Sequence, residues 1–406
     1  MDDPKMDDRK YMALALELAK KGLGWTSPNP MVGAVLVKDG RIIGQGYHAR
    51  YGDLHAERSA LAACTEDPEG STLYVTLEPC CHRGKQPPCT DAILAAKIAR
   101  VVVGSGDPNP LVAGKGIKLL QDHGLSVTQH VLEKECLALN EVFFHYIRTK
   151  RPYVVMKYAM TMDGKIAAYT GASKWITGEA ARAHVQTLRH RYRGIMAGIG
   201  TVLADDPLLT CRMEGGRDPV RIICDTDLRI PLSSQIIRTA DAVPTIIATC
   251  CGEERLPAAF GMAAGRRDLT DAQVLPKKIE ACRSAGCQIL TLPERDGHVD
   301  LMALMERLGA MGIDSILLEG GMTLNWSALE SGIVDKVLAY IAPKLLGGLS
   351  AKSPVGGTGF PHPDQGIRLM DSKLSTLDGD ILIESRVCHA VRQDEKEVHP
   401  YVHRDH

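Results

Sequence analysis

Residues suited to binding a metal and moving a proton cluster early in the chain. Asp53-Leu54-His55-Ala56-Glu57 opens an Ala/Leu-rich helical stretch, Glu78-Pro79-Cys80 ends a β-rich run, and Cys89 lies just before a second helical stretch. An imidazole and two thiolates give a tetrahedral zinc ion three ligands and leave its fourth position to water, which separates a catalytic site from a closed structural one. Zinc so held lowers the pKa of water toward neutrality, and hydroxide can then attack an amino-bearing ring carbon. Glu57 suits the other half of that chemistry, taking a proton from the water and passing it to the departing ammonia. His-x-Glu followed by Pro-Cys and a further Cys is a pattern of hydrolytic deamination of nucleobases. One departure stands out: the position three after Cys80 is Arg83, where a second thiol is usual. Cys81 and Cys89 both remain available as that thiolate.

Around these residues helix and strand alternate. Tyr11, Leu14, Ala15, Leu18 and Ala19 recur at helical spacing over residues 10–19, and Gly22 and Gly24 close the segment. Met31 to Val37 reads as a strand, Lys38-Asp39-Gly40 as a tight turn and Arg41 to Gln45 as the returning strand. His55 to Cys64 reads as a helix, Thr72 to Leu77 as a strand, Asp91 to Ile98 as a helix and Arg100 to Gly104 as a strand, the alternation of a layered α/β unit. The unit closes near Tyr146, because Arg148-Thr149-Lys150-Arg151-Pro152 is basic, ends in proline and lacks apolar periodicity. A second series follows, with strands at Tyr153 to Tyr158, Val220 to Cys224, Thr245 to Ala248 and Ile316 to Leu318 and a helix over roughly residues 179–192. The last of these strands runs into Glu319-Gly320-Gly321 and then a helix, so amides at the helix start can cradle phosphate. The Gly-x-Gly-x-x-Gly dinucleotide fingerprint is absent. We expect a domain over residues 1–147, a second over 148–389, and a tail over 390–406 that is rich in His, Glu, Asp and Arg.

Length agrees: 406 residues at the usual ~150 per domain suggest two or three. Hydrophobic residues at 45 % supply sizeable cores, and 48 Lys+Arg against 49 Asp+Glu leave a formal net charge of -1, which argues against disorder and against a nucleic-acid binder. No apolar run approaches the ~20 residues of a membrane span. The amino end, Met1-Asp2-Asp3-Pro4-Lys5, is acidic where an export signal is basic and then apolar. A cytoplasmic protein is expected, its 12 cysteines reduced thiols or metal ligands.

The run Thr76-Leu77-Glu78-Pro79-Cys80-Cys81-His82-Arg83-Gly84-Lys85-Gln86-Pro87-Pro88-Cys89 resembles the bifunctional riboflavin-biosynthesis deaminase/reductase family, whose two thiol ligands are spaced this widely. Asn29-Pro30-Met31-Val32-Gly33 matches the same family's Asn-Pro-x-Val-Gly before its first hairpin. The resemblance implies a cytidine-deaminase-like three-layer α/β/α domain holding one zinc per chain on His55, Cys80 and Cys89, with Glu57 catalytic. It also implies that Asn29 holds the pyrimidine edge. His48, His82, Lys85, Asp107 and Asn109 would lie near a phosphoribosyl-bearing substrate, whose oxygens accept charge-assisted bonds.

In the second half, Lys157-Tyr158-Ala159-Met160-Thr161-Met162-Asp163-Gly164-Lys165-Ile166, Ser173-Lys174-Trp175-Ile176-Thr177 and the stretch from Gly200 to Thr210 are similar to the reductase half of that family. The resemblance now spans nearly the whole chain and implies a dihydrofolate-reductase-like α/β fold that uses NADPH. Ala159, Trp175, Thr201, Asp205 and Thr226 would face the cofactor, together with Gly321, Met322, Thr323, Leu324, Asn325, Trp326 and Ser327. Ser173, Arg189, Leu209, Arg212 and Glu319 would face the substrate, where a guanidinium can bind two phosphate oxygens at once. No residue here declares itself an acid or base, although Asp205 and Glu319 could assist protonation. The implied enzyme removes the 2-amino group of a diamino-hydroxy-phosphoribosylamino-pyrimidine and reduces the ribose of the product to a ribityl chain. A homo-oligomer acting on a small molecule, with neither nucleic acid nor membrane as partner, is expected. Two other readings share the metal motif: a deaminase of nucleosides, bases or tRNA with an accessory binding unit, and a zinc-stabilised scaffold in which Glu57 is dispensable.

Overall fold

The computed structural model describes residues 4–252 and 271–389. The expected tail over 390–406 lies outside them. Among the described residues the strands form two large sheets and one small hairpin.

The first sheet holds β1 (Gly33–Lys38), β2 (Arg41–Tyr47), β3 (Thr72–Leu77), β4 (Arg100–Ser105) and β5 (Ser126–Thr128), in the order β2-β1-β3-β4-β5. Antiparallel pairing joins β1 to β2 and β3, while β3, β4 and β5 run parallel. Asp39 and Gly40 both take positive φ (50° and 73°), which matches the twist of a two-residue hairpin. The accompanying helices are α1 (Pro4–Lys20), α2 (Ala56–Ala62), α3 (Cys89–Ala95), α4 (Lys115–Asp122), α5 (Glu133–Leu139) and α6 (Glu141–Thr149). Strand alternation sends Leu36, Val75 and Val101 toward α2, α3 and α4, and Val35, Tyr74 and Val102 toward α1 and α5. Three layers, α/β/α, result. Helix α2 presses so close to β2 that a Cβ at Gly46 would meet Ala60 N at 2.3 Å, so only glycine fits there.

The second sheet begins with β6 (Tyr153–Thr161) and continues through α7 (Glu179–Arg191), β7 (Gly194–Gly198), α8 (Ile199–Asp205), β8 (Val220–Cys224), α9 (Gln235–Arg238) and β9 (Thr245–Thr249). It proceeds with α10 (Asp271–Ser284), β10 (Cys287–Thr291), the small hairpin β11 (Glu294–Arg295) and β12 (His298–Val299), α11 (Leu301–Ala310), β13 (Ser315–Leu318) and α12 (Met322–Glu330). It ends with β14 (Lys336–Ala342), β15 (Leu369–Leu377) and β16 (Asp380–Val387). Strand order is β10-β9-β8-β7-β13-β6-β14-β16-β15, and the strands from β10 through β14 are parallel. Even-numbered residues such as Met156, Met196, Ile222 and Ile316 pack against α11 and α12. Odd-numbered Ile195, Ile223 and Ile247 pack under α8, α9 and α10, and Val155 and Leu317 under α7. Burial on both faces is why these strands read as continuous apolar runs.

Element boundaries shift by a few residues from expectation. The strand expected from Met31 starts at Gly33, because Met31 is held outside the sheet by Asn140. Helix α2 starts at Ala56 and α3 at Cys89, so His55 and Cys89 sit at helix starts. The basic stretch from Arg148 begins as the end of α6, with only Lys150, Arg151 and Pro152 between that helix and β6. No helix among the described residues is long and apolar enough to cross a membrane.

Candidate active sites

Each expected metal ligand sits where one element meets another. His55 is the N-cap of α2, Cys80 follows β3 by way of Glu78 and Pro79, and Cys89 is the first residue of α3. Their donor atoms all lie within 4.8 Å of one another, with the Cys80 and Cys89 sulfurs 3.5 and 3.4 Å from His55 Nδ1. Tetrahedral bonds of about 2.3 Å to sulfur and 2.0 Å to nitrogen put such edges at about 3.6 Å, so the donor set fits zinc. Charge agrees. A hydrogen bond from Cys89, helped by His55, outweighs burial and pulls the Cys80 thiol down to about 4, while the same bond and burial push Cys89 up. Both sulfurs ionise together only with a cation between them. Cys81 turns away, its Sγ 3.9 Å from Leu111 O. Glu57, in the first turn of α2, is buried, and that burial beside the Cys80 sulfur pushes its carboxyl up to about 7. Such a group can both take and give a proton near neutrality.

These four residues lie in or beside a cleft of about 230 Å³ whose walls include Asn29, His48, His82, Lys85, Asp107 and Asn109. Burial lowers the pKa of His48 from its ordinary value. Its Nδ1 faces Leu54 O at 3.0 Å and must carry the proton, so Nε2 accepts from Asn29 Nδ2 at 3.3 Å and leaves the Asn29 oxygen free to read a ring. His82 Nδ1 is buried with no hydrogen-bond partner, an unmet polar atom on the cleft wall. Lys85 Nζ sits 4.0 Å above the Tyr51 ring, an exposed cation beside the cleft. Burial pushes the Asp107 carboxyl up to about 6, and its Oδ1 accepts the Asn109 amide at 2.8 Å.

One residue of this site was missed although it lies within the metal motif. Glu78 is buried and its carboxylate accepts the backbone N–H groups of Asp107 and Gly114 on one oxygen and of Gly116 and Ile117 on the other, at 3.0 to 3.3 Å. It ties the Asp107–Asn109 loop to the metal loop. A Cβ on Gly116 would meet Pro79 O at 2.1 Å, so the approach requires glycine. Phe143, on α6, was also missed; it lines the same cleft from beyond the first sheet.

In the second sheet the carboxyl ends of parallel strands share one edge, where ligands of such sheets bind. Ala159 lies late in β6, Thr201 and Asp205 lie on α8 after β7, Thr226 follows β8, and Glu319 through Ser327 follow β13. Thr201 Oγ1 is the nearest atom, at 3.8 Å, to where a Gly321 Cβ would stand. No side chain caps α12, which starts just after Gly321, leaving its first amides for a ligand. An open glycine and uncapped amides suit a phosphate-bearing cofactor. Ser173 Oγ reaches Asp205 Oδ1 at 3.5 Å, and Trp175 stands exposed under the Arg182 guanidinium.

The contacts of the other expected residues lie within the protein or at its surface. Arg189 donates through Nε and another guanidinium nitrogen to the Glu319 carboxylate at 2.7 and 3.1 Å and to Thr210 O at 3.0 Å, so its fork is already filled. Arg212 is exposed. Leu209 packs into the core with Ile195 and Ile223, and Asn325 is fully buried with its amide on Pro354 O. Burial would raise the Glu319 carboxyl, but Arg189 and Lys157 prevail and hold it at about 2, so it has no proton to give. Lys157, 3.8 Å away, was missed as a site residue: it is buried, and desolvation lowers its pKa against the pull of Glu319.

Known proteins divide the chain in the same way. Residues 5–105 match the cytidine and deoxycytidylate deaminase zinc-binding region, and residues 152–383 match the RibD C-terminal domain. The chain is a bifunctional enzyme in which a zinc-site deaminase is joined to a reductase. Riboflavin biosynthesis protein RibD of Actinobacillus pleuropneumoniae is 51 % identical over 379 residues, covering 93 % of this chain and 95 % of the relative. The Escherichia coli protein of the same name is 40 % identical over 84 % of this chain and 89 % of its own. Among solved structures, Acinetobacter baumannii RibD superposes with a TM-score of 0.80 at 35 % identity, covering 95 % of this chain and all of that one. A diaminohydroxyphosphoribosylaminopyrimidine deaminase/5-amino-6-(5-phosphoribosylamino)uracil reductase from Thermotoga maritima gives 0.78 at 36 % with the same coverage. This chain belongs to the RibD family of riboflavin biosynthesis. Its two halves accordingly call for zinc and for a nicotinamide cofactor.

Proposed function

We propose that residues 1–147 hydrolyse 2,5-diamino-6-(5-phosphoribosylamino)pyrimidin-4(3H)-one to the 2-oxo compound and ammonia, and that residues 148–389 reduce the ribosyl group of that product to ribityl with NADPH. The observation that carries this reading is the buried Glu57 beside a three-donor cluster of zinc dimensions in a cleft faced by Asn29 and an unpartnered His82. His55, Cys80 and Cys89 would hold one zinc per chain, which would supply the Lewis acidity that makes water a nucleophile at neutral pH. Glu57 removes the proton of the attacking water and delivers it to the leaving amino group, so one water is consumed and one ammonia released. Asn29, oriented by His48, reads the pyrimidine edge, and Lys85, His82, Asp107 and Asn109 receive the phosphoribosyl arm.

At the second site Ala159, Thr201, Asp205, Thr226 and the Gly321 turn would hold NADPH, with Trp175 as an exposed flank. Bound there, the cofactor would supply the hydride that turns the ribosyl group into ribityl, with one proton completing the reduction. The pyridine nucleotide carries the chemistry, and the protein supplies orientation and charge. With Glu319 held as the anion, Lys157 is the neighbouring amine, 3.8 Å away, whose pKa burial lowers. Ser173 and Arg212 reach toward the substrate. The chain works in the cytoplasm as a homo-oligomer, for which the open edge strand β15, with exposed Leu369, Met370 and Leu374, offers a contact to a second copy.

Purified enzyme supplied in turn with the diamino phosphoribosylaminopyrimidine, cytidine and an adenosine-containing RNA should release ammonia from the first alone. Turnover restricted to the latter two would remove the assignment.

A further inference from the structure

We propose that the second domain fixes one wall of the first domain's cleft, through a bracket made by Ser27, Asn140 and Phe143, and thereby sets substrate affinity in the deamination step. The inference rests on the deamination reading above.

The loop over residues 21–32, between α1 and β1, carries Asn29 and has no strand pairing of its own. Several of its tethers come from the other domain, beside first-domain contacts of Trp25 O with Tyr51 N–H and of Asn29 with His48. Leu23 O faces His190 Nε2 at 2.9 Å, Gly24 O accepts from Arg217 Nε at 2.9 Å, and Ser27 Oγ donates to Asp314 Oδ2 at 2.6 Å. At the far end of the loop the buried Asn140 side chain clasps Met31 on both sides, donating to its carbonyl at 2.9 Å and accepting its amide at 2.8 Å.

Asn140 immediately precedes α6, and Phe143, within the first turn of that helix, lines the cleft together with Asn29. The second domain holds α6 in turn: Glu141 accepts from Tyr153 OH at 3.1 Å and lies 3.7 Å from the Arg191 guanidinium, and Tyr146 OH donates to Gly309 O at 2.9 Å. Behind Asn29 and Phe143 lies a smaller cavity, also lined by Arg191 and Asp314. The two side chains therefore form a wall with space on both sides. A wall without packed backing keeps its place only if tethered, and holding it in place before binding lowers the ordering cost that substrate must otherwise meet. The predicted consequence is on binding: the metal ligands and Glu57 sit on α2, α3 and the end of β3, outside the bracket.

Full-length zinc-loaded S27A, F143A and F143L, and the S27A/F143A double variant, would be assayed for ammonia release from the diamino substrate. Reduction of the separately supplied deaminated product and zinc content would be measured on the same preparations. Losing one tether or the ring should raise the deamination KM about three- to tenfold, with kcat, zinc content and both reductase constants unchanged. F143L should recover most of the loss. An unchanged deamination KM in the double variant overturns the proposal, as does a KM rise accompanied by matching losses of zinc and of reductase activity. Should the parent enzyme release no ammonia, the failure belongs to the preceding reading.

Discussion

Glu57 and Glu78 stand on either side of the gap between the first two metal ligands, and both are buried carboxylates with opposite surroundings. Glu57 is raised to about 7 by burial, which makes it a proton carrier. Replacing Glu57→Gln should lower ammonia release by about a factor of 10² to 10⁴ while zinc content and reduction persist; retained deamination would leave the residue without its role. Glu78 is enclosed by four N–H donors and serves as an anchor. In Glu78→Gln an amide –NH₂ must face two of those donors, which should cost about 1–3 kcal/mol in urea unfolding and raise the deamination KM; unchanged unfolding would refute the anchoring role. His55, Glu57 and Cys80 were legible because ligand and motif spacing is local. The choice of Cys89 over Cys81 depends on which way a sulfur points, and the partners of Glu78 lie 29 to 39 residues further along, beyond any local pattern.

The parallel strands β6, β8, β9 and β13 announced themselves as apolar runs because both of their faces are covered. Strands β14, β15 and β16 did not: β15 is an edge strand exposed over nearly all its length, so neither a continuous run nor a clean alternation marks it. The sequence closes the first unit near Tyr146, whereas α6 runs on to Thr149, because the basic end of that helix carries no apolar periodicity. The Arg189–Glu319 pair joins α7 to the end of β13 across 130 residues of sequence, and only the sheet order brings them together. This pair makes a pH prediction. Glu319 sits at about 2 against an ordinary 4.5, so its contribution, on the order of 3 kcal/mol, is present above pH 4.5 and is lost as pH falls from there toward 2. Acid unfolding of the parent and of Glu319→Gln should therefore differ most above pH 4.5 and converge near pH 2. A constant difference across that range would contradict the assigned pairing.

Across the whole molecule, two sheets with separate cores each carry a site at a strand end, and the contacts between them run through the Asn29 loop and α6. The separate cores make the chemistry separable. Stripping zinc with a chelator should abolish ammonia release and leave NADPH-dependent reduction of the deaminated product within about twofold, because no metal donor cluster occurs in the described residues of the second domain. Parallel loss of both activities would mean that the metal also holds the second site together. The most direct test is to follow ammonia and oxidised NADPH in one vessel, with zinc-reconstituted and zinc-free full-length enzyme acting on the diamino substrate. Equal final amounts with ammonia appearing first, and neither signal without zinc, are predicted. Ammonia released at full rate by the zinc-free protein would contradict the central claim.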